Sequence, residues 1–83
     1  MDEAITFTQT AFKHGVTKEA IYQAVKEFIY DEPVEGYVNK YLMLGFDHNA
    51  NLLEIMYNRV GENTMNVFHA MPCRPAWRGL ANQ

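Results

Sequence analysis

Residues 40–71 most constrain the fold, because they hold three apolar segments separated by two short, turn-forming gaps. The segments 40–47, 52–59 and 65–71 have the length and the aliphatic and aromatic content of β-strands. The gaps between them are rich in Asn, Asp and Gly, which favour the tight turns of hairpins. The sequence therefore predicts an antiparallel β-meander.

Side-chain parity predicts the register of this meander, since residues two apart in a strand face the same side of the sheet. Pairing Phe46 with Leu53 and Tyr57 with Phe68 gives one apolar face across all three strands. That face is the expected core, and its members are Leu42, Leu44, Phe46, Leu53, Ile55, Tyr57, Phe68 and Ala70. The other face is mixed and is where function is expected; it holds Tyr41, Met43, Glu54, Met56, Asn58, Val67, His69 and Met71.

Two helices are expected before the strands. Residues 3–14 place apolar side chains at helical spacing, although the threonines among them are weak helix formers. Residues 18–29 have a stronger amphipathic pattern, with Ile21, Val25 and Phe28 on one face. The predicted fold class is α+β, with two N-terminal helices packed on one face of a three- to four-stranded antiparallel β-meander and a short C-terminal tail.

Length and composition indicate one folded domain, residues 1–83, with 48% hydrophobic residues. No apolar run has the length of a membrane span, and the first residues lack the basic start of a signal peptide. A single cysteine, Cys73, cannot form an internal disulfide, so a reducing, cytoplasmic setting is expected. The net charge of −3 means that binding to nucleic acid would need a local basic zone, for which Arg59, Arg74 and Arg78 are candidates.

His69 is the titratable residue that most suggests chemistry. It lies near the end of the last predicted strand, with Arg74 five residues later and Arg59 on the neighbouring strand. Imidazole beside guanidinium groups suits acid–base work on a phosphodiester, because the arginines hold the phosphate while the histidine moves a proton. The alternative is a half-buried strand histidine that is hydrogen-bonded to a neighbour.

Other polar residues leave their roles open. Lys13 and His14 form a cationic pair at a predicted helix end, where capping is one explanation and a site is the other. Glu54 could pair with a basic group or with a partner protein. The histidine spacing and the single cysteine predict no metal site, and no cofactor is expected. The group of Tyr41, Met43, Met56 and Met71 has the composition of a protein-binding surface or a dimer contact.

Three motifs carry a family resemblance: Lys-His-Gly-Val-Thr at 13–17 followed by a helix, Leu-Gly-Phe-Asp at 44–47, and Asn-Val-Phe-His-Ala-Met at 66–71. The layout of residues 13–74 resembles the BrnT-like toxins of bacterial toxin–antitoxin modules, which belong to the RelE-like ribonuclease group. The resemblance implies a cytoplasmic, metal-independent endoribonuclease that cleaves RNA and is neutralised by a small antitoxin protein. Those toxins begin with an extended segment, whereas residues 3–14 here predict a helix.

The resemblance also assigns residues. Lys13 and His14 match the helix-end motif, while His69 lies where such toxins often carry a Ser-Ala-Arg-like motif, so Arg74 or Arg59 would replace the arginine. The predicted catalytic set is His69, Arg74, Arg59 and Lys13. The predicted substrate- or partner-binding set is His14, Tyr41, Met43, Glu54, Met56, Asn58 and Trp77. The alternative function is a non-enzymatic interaction domain, or a homo-oligomer, that uses an open Met-rich sheet face.

Overall fold

The computed structural model describes residues 4–82 of the 83-residue chain. The strands in this part are β1 (Ala4–Phe7), β2 (Phe28–Pro33), β3 (Tyr41–Phe46), β4 (Leu52–Val60) and β5 (Thr64–Pro72). The helices are α1 (Lys18–Lys26) and the single turn α2 (Pro75–Arg78), with 3₁₀ turns at Gln9–Phe12 and Gly79–Asn82. The strands form one sheet in the order β1-β5-β4-β3-β2, in which β1 runs parallel to β5 and the other neighbours are antiparallel. Within residues 4–82, no helix combines the length and the apolar character needed to cross a membrane.

The prediction of two N-terminal helices on an antiparallel meander is wrong, because residues 4–7 form an edge strand of a five-stranded mixed sheet. Ile5 and Phe7 are half-buried while Ala4 and Thr6 are exposed, which is the two-residue period of a strand. Parallel pairing with β5 satisfies the backbone of this segment, and threonine favours the extended conformation. Glu3, which began the predicted helix, lies outside the described residues.

The second predicted helix exists but is shorter than expected. Thr17 caps α1, since its Oγ1 accepts a hydrogen bond from the backbone nitrogen of Ala20 at 3.1 Å. Ile21 is fully buried, as its position on the apolar face predicted. The helix ends at Lys26, so the placement of Phe28 on its buried face is wrong: Phe28 begins β2 and is 52% exposed.

The β3–β4 register differs by one residue from the prediction, because Gly45 pairs with Leu53 and Phe46 pairs with Leu52. The hairpin loop explains this shift. One carboxylate oxygen of Asp47 accepts hydrogen bonds from the backbone nitrogens of Asn49 and Asn51, each at 2.9 Å, which fixes the loop closure. A one-residue shift moves side chains to opposite faces, so Leu42 and Leu44 no longer share a face with Ile55.

The β4–β5 pair contains a β-bulge. Ile55 pairs with Ala70 as predicted, but Met56 pairs with His69 and Tyr57 pairs with Val67. Phe68 is therefore the extra residue of β5, and the predicted Tyr57–Phe68 pair is wrong. The bulge re-aims the side chains on either side of it, and His69 is one of these.

Both faces of the sheet are covered, each by a different part of the chain. Helix α1 packs on the face that carries Met43, Ile55 and Tyr57, and a Cβ added at Gly45 would overlap the backbone carbonyl of Ala24. The opposite face is packed by the C-terminal segment (residues 73–82), which brings these side chains onto Leu42 and Leu44: Cys73, Trp77, Leu80 and Ala81. The predicted tail is therefore a structural part of the domain.

Candidate functional site

A buried carboxylate is the centre of a cluster of hydrogen-bonded polar side chains. Glu54 lies in an otherwise apolar part of β4 and is fully buried. Its Oε1 accepts a hydrogen bond from the backbone nitrogen of Arg74 at 2.9 Å, and its Oε2 accepts one from Nη2 of the same residue at 2.7 Å. Oε2 also lies 2.8 Å from Nε2 of His69. One carboxylate thus holds a guanidinium and an imidazole.

The electrostatics of this cluster favour an ionised Glu54. Burial acts to raise the pKa of this carboxyl, but hydrogen bonds from the side chain and backbone of Arg74 and from His69 outweigh it, so the pKa lies below its ordinary value. The hydrogen bonds and charge of Glu54 in turn raise the pKa of Arg74. Because an ionised carboxylate can only accept hydrogen bonds, the Nε2–H of His69 is the donor, and Nδ1 is left as the second functional atom of this ring.

The β-bulge and the turn before α1 together position His69. The bulge leaves the carbonyl oxygen of Phe68 outside the β4 register, and Oγ1 of Thr10 donates a hydrogen bond to it at 2.7 Å. This bond joins the 3₁₀ turn to β5 immediately before His69. The His69 side chain is 20% exposed, so its ring is held by neighbours while one side still reaches solvent.

The same turn brings His14 to the cluster. Gly15 has a φ of +81°, a left-handed conformation that favours glycine, and its backbone nitrogen donates to the carbonyl of Phe12 at 3.1 Å. The chain therefore reverses directly after His14. The ring centroids of His14 and His69 lie 5.6 Å apart with an interplanar angle of 75°. Glu54, His69, Arg74 and His14 are called the Glu54 cluster below.

An open groove of about 880 Å³ adjoins this cluster at the end of the sheet. It lies between the turn at residues 14–17, the β3–β4 hairpin and the C-terminal segment, and it is called the His14 groove below. His14 belongs both to the groove lining and to the Glu54 cluster. The exposed ring of Phe46, the Asn49 and Asn51 residues and Arg78 also line it. The lining thus combines apolar side chains and an aromatic ring with amides, two basic side chains and the carboxylate of Asp47.

The predicted site residues divide between this cluster and the rest of the sheet. His69, Arg74, His14 and Glu54 come together, and the exposed Lys13 directly precedes His14 in the chain. Glu54 pairs with basic groups of its own chain, which is one of the two roles that the sequence left open.

Arg59, Asn58 and Tyr41 lie at the other end of the sheet. Arg59 lies five positions after Glu54 along β4, a span of about 17 Å. The guanidinium of Arg59 lies 5.6 Å from the ring centroid of Tyr41 and 5.5 Å from that of Tyr57, on the α1 face. Asn58 donates a hydrogen bond to the carbonyl of Asn39 at 2.9 Å. Asn58 and the backbone of Arg59, both bonded to Asn39, anchor the β2–β3 connection to β4.

The predicted Met-rich face is divided between the two sides of the sheet. Met43 is buried under α1, whereas Met56 is half-buried on the opposite face. Trp77 packs into the same cluster as Met56, so the C-terminal segment covers part of this surface. Met43, Met56 and Trp77 therefore do not form one open surface.

Cys73 is poorly suited to nucleophilic chemistry. The thiol is buried, and burial followed by the negative charge of Glu54 raises its pKa. Among residues 4–82, no group of three or more His, Cys, Asp or Glu side chains is arranged to hold a metal ion.

Two parts of the site had only weak signals in the sequence. The central role of Glu54 could have been suspected from its position as the single carboxylate in the run Leu-Leu-Glu-Ile-Met-Tyr, since a charge in a buried strand needs partners. The groove residues Phe46, Asn49 and Asn51 resemble ordinary hairpin residues, so the sequence carried no signal that they line a groove. Comparisons with protein-family models, curated proteins and solved structures give no match to this chain.

Proposed function

We propose that this chain is a metal-independent endoribonuclease that acts as the toxin of a toxin–antitoxin module. The observation that carries the proposal is the contact of one buried carboxylate, Glu54, with both the His69 imidazole and the Arg74 guanidinium. A carboxylate that orients a histidine is a common device of general acid–base catalysis, because it fixes the ring and its tautomer. The guanidinium beside the ring suits a phosphate substrate.

The proposed chemistry begins at the 2′-hydroxyl of RNA. Nδ1 of His69 takes the proton of this hydroxyl, and the oxygen attacks the adjacent phosphorus. Arg74 stabilises the negative charge that develops on the phosphate oxygens. Its side chain is 49% exposed although it is bonded to Glu54, so part of the guanidinium remains accessible to a substrate.

The family resemblance supports the same assignment. An extended first segment is what the resemblance implies, and β1 is extended. The arginine that the last strand lacks has a counterpart in Arg74, which the C-terminal segment brings back to the strand residue Glu54. Near this cluster Lys13, Arg74 and Arg78 outnumber the acidic Glu54 and Asp47, so the local balance is more basic than the net charge of −3 indicates. Inhibition by a small antitoxin protein belongs to the same proposal.

Cleavage of RNA by purified protein tests the proposal. Wild type is compared with His69→Ala and with His48→Ala, whose side chain is exposed in the β3–β4 loop and serves as a matched control. Loss of a general acid or base slows catalysis by about 10²–10⁴-fold, so His69→Ala should lose this factor and His48→Ala should not. All three proteins must give the same circular-dichroism spectrum. A folded wild type that cleaves no RNA, with or without ribosomes, would contradict the proposal.

Growth provides the second measurement. Expression of the wild-type chain should arrest bacterial growth, and co-expression of the neighbouring gene product should restore it. His69→Ala should be harmless at the same protein level. If His69→Ala arrests growth as fully as wild type, toxicity does not depend on His69 and the catalytic assignment is wrong.

A further inference from the structure

We infer that His14 is the second acid–base group of this site, protonating the leaving 5′-oxygen, and that the His14 groove binds the leaving nucleoside. The inference rests on the proposed function and extends it to a residue that the sequence predicts only as a binding residue. It also assigns a direction to the bound RNA.

The first support is the geometry of the two imidazoles. Their ring centroids are 5.6 Å apart, which places both within reach of one phosphodiester. The rings differ in environment: Nε2 of His69 is held at 2.8 Å from the Glu54 carboxylate, whereas His14 is exposed on the turn that ends at Gly15. Cleavage of RNA needs one group that removes a proton and one that supplies a proton, and two different histidines meet this need.

The division of labour follows from what each ring contacts. Glu54 fixes His69 with Nε2 as the donor, which leaves Nδ1 to accept the proton of the 2′-hydroxyl. His14, in its protonated form, then donates to the oxygen that leaves. In this step the bond between O2′ and phosphorus forms and the bond between phosphorus and O5′ breaks. The products are a 2′,3′-cyclic phosphate and a free 5′-hydroxyl. His69 gains the proton of the 2′-hydroxyl, and His14 loses one proton to the 5′-oxygen.

The second support is the position of the groove. His14 lines it, while His69, Glu54 and Arg74 are not part of its lining. A group that protonates the leaving oxygen must stand on the side of the leaving nucleoside, so that nucleoside lies in the His14 groove. The exposed ring of Phe46 offers a surface on which a base can stack.

The groove chemistry fits a nucleoside better than a second phosphate. Asn49 and Asn51 line the groove and offer amides for the edge of a base, with the amide nitrogen of Asn51 also donating to Asp47. Asp47 also lines the groove, but its carboxylate accepts hydrogen bonds from both of these asparagines within the hairpin loop. That negative charge disfavours a second phosphate deep in the groove and tolerates an uncharged base. The volume of about 880 Å³ is sufficient for one nucleoside.

A change of leaving group tests the role of His14. Two RNA oligonucleotides with a single cleavable linkage are compared, one with the natural 5′-oxygen and one with sulfur in its place. A thiolate leaves without protonation, so loss of the general acid should matter only for the oxygen substrate. His14→Ala should slow cleavage of the natural substrate by about 10²–10⁴-fold. The same variant should cleave the sulfur substrate at close to the wild-type rate. His69→Ala should slow both substrates.

Equal losses on both substrates for His14→Ala would overturn the inference, and so would a natural rate that His14→Ala leaves unchanged. In both cases cleavage by wild type would leave the proposed function standing. Failure of wild type to cleave either substrate would overturn the proposed function and this inference together. His14→Gln, which keeps a polar side chain on the same exposed turn, should behave like His14→Ala if proton transfer is the role that is lost.

The groove has its own measurement. Phe46→Ala should raise KM by about tenfold, the loss expected for one base–aromatic stack, and change kcat less. The effect should disappear with a substrate that has an abasic residue on the 5′-oxygen side of the cleaved bond. If Phe46→Ala has an unchanged KM and a circular-dichroism spectrum like that of wild type, the nucleoside does not bind in the groove.

Discussion

Arg74 donates hydrogen bonds from both its backbone nitrogen and its guanidinium to a single carboxylate, that of Glu54. The two residues are 20 positions apart in sequence. Their contact fastens the start of the C-terminal segment to the middle of the sheet. The bond between Cys73 N and the carbonyl of Leu52, at 2.9 Å, lies beside it. The residues proposed for catalysis are therefore also residues that hold the fold together, and stability and activity must be measured separately.

Acid should weaken the fold through Glu54. The hydrogen bonds from Arg74 and His69 outweigh the effect of burial and hold the pKa of Glu54 below the ordinary value of 4.5. A carboxyl whose pKa is depressed by folding stabilises the protein above its unfolded-state pKa, and this stabilisation is lost as the pH falls through the folded-state pKa. We expect the free energy of unfolding to fall as the pH drops below 4.5.

Comparison with Glu54→Gln isolates this contribution. Near neutral pH the variant should be less stable than wild type by about 1.5–3 kcal/mol, the range for hydrogen bonds to a charged group. The difference should shrink as the pH falls, because wild type then loses its charge as well. Asp47→Asn is a second case in the β3–β4 loop: hydrogen bonds led by the backbone of Asn51 lower the pKa of Asp47, so its difference from wild type should also shrink as the pH falls. Urea denaturation over a pH series gives the measurement, and a difference that does not change with pH would contradict the prediction.

Gly45 should be the least replaceable glycine in the described part of the protein. It is buried where α1 crosses β3, and an added Cβ would overlap the carbonyl carbon and oxygen of Ala24. Since both contacts are with backbone atoms, the helix itself would have to move. We expect Gly45→Ala to lower the free energy of unfolding by at least about 1–3 kcal/mol, the usual cost of overpacking.

Gly79 provides the control for this substitution. It has a helical φ of −60°, and an added Cβ there would meet nothing within 4 Å. Gly79→Ala should therefore leave the denaturation midpoint unchanged or slightly raised. A Gly45→Ala loss as small as that of Gly79→Ala would contradict the close approach of α1 to β3.

The local parts of the fold could be predicted from the sequence. Ile21 on the apolar face and the Thr17 cap depend on residues within one or two turns, and the structure has both. Hairpins between residues 40 and 71 follow from turn residues next to apolar segments, and all three predicted strands are present. In each case the residues that determine the local structure lie close to it in the sequence.

The parts that could not be predicted depend on distant or single-residue effects. Residues 4–7 become a strand only because β5, some 60 positions later, offers them an edge. The register of β3 against β4 depends on how Asp47 closes one loop, and an error of one residue exchanges the two faces. This error placed Met43 on the wrong side of the sheet.

The candidate site shows the same division. His69 and Arg74 were identified from their chemistry and their closeness in sequence, and they share one carboxylate in the structure. The sequence also predicts Arg59 near His69, on the neighbouring strand, but the guanidinium of Arg59 lies against Tyr41 at the far end of β4. The approach of His14 to His69 depends on the bulge at Phe68 and on its bond to Thr10, neither of which leaves a pattern in the sequence.

The end of α1 separates two side chains that the helical pattern had grouped together. Ile21 is fully buried between α1 and the sheet, whereas Phe28 lies beyond the helix on the edge strand β2 and is 52% exposed. Truncation of Ile21 removes a buried side chain and leaves a cavity, so Ile21→Ala should lower the free energy of unfolding by about 2–5 kcal/mol. Phe28→Ala loses mainly solvent-facing surface, and we expect a change of no more than about 1 kcal/mol. Urea denaturation of the two variants beside wild type decides between the alternatives. A Phe28→Ala loss as large as that of Ile21→Ala would mean that the helix continues past Lys26 and buries Phe28, as the amphipathic pattern alone predicted.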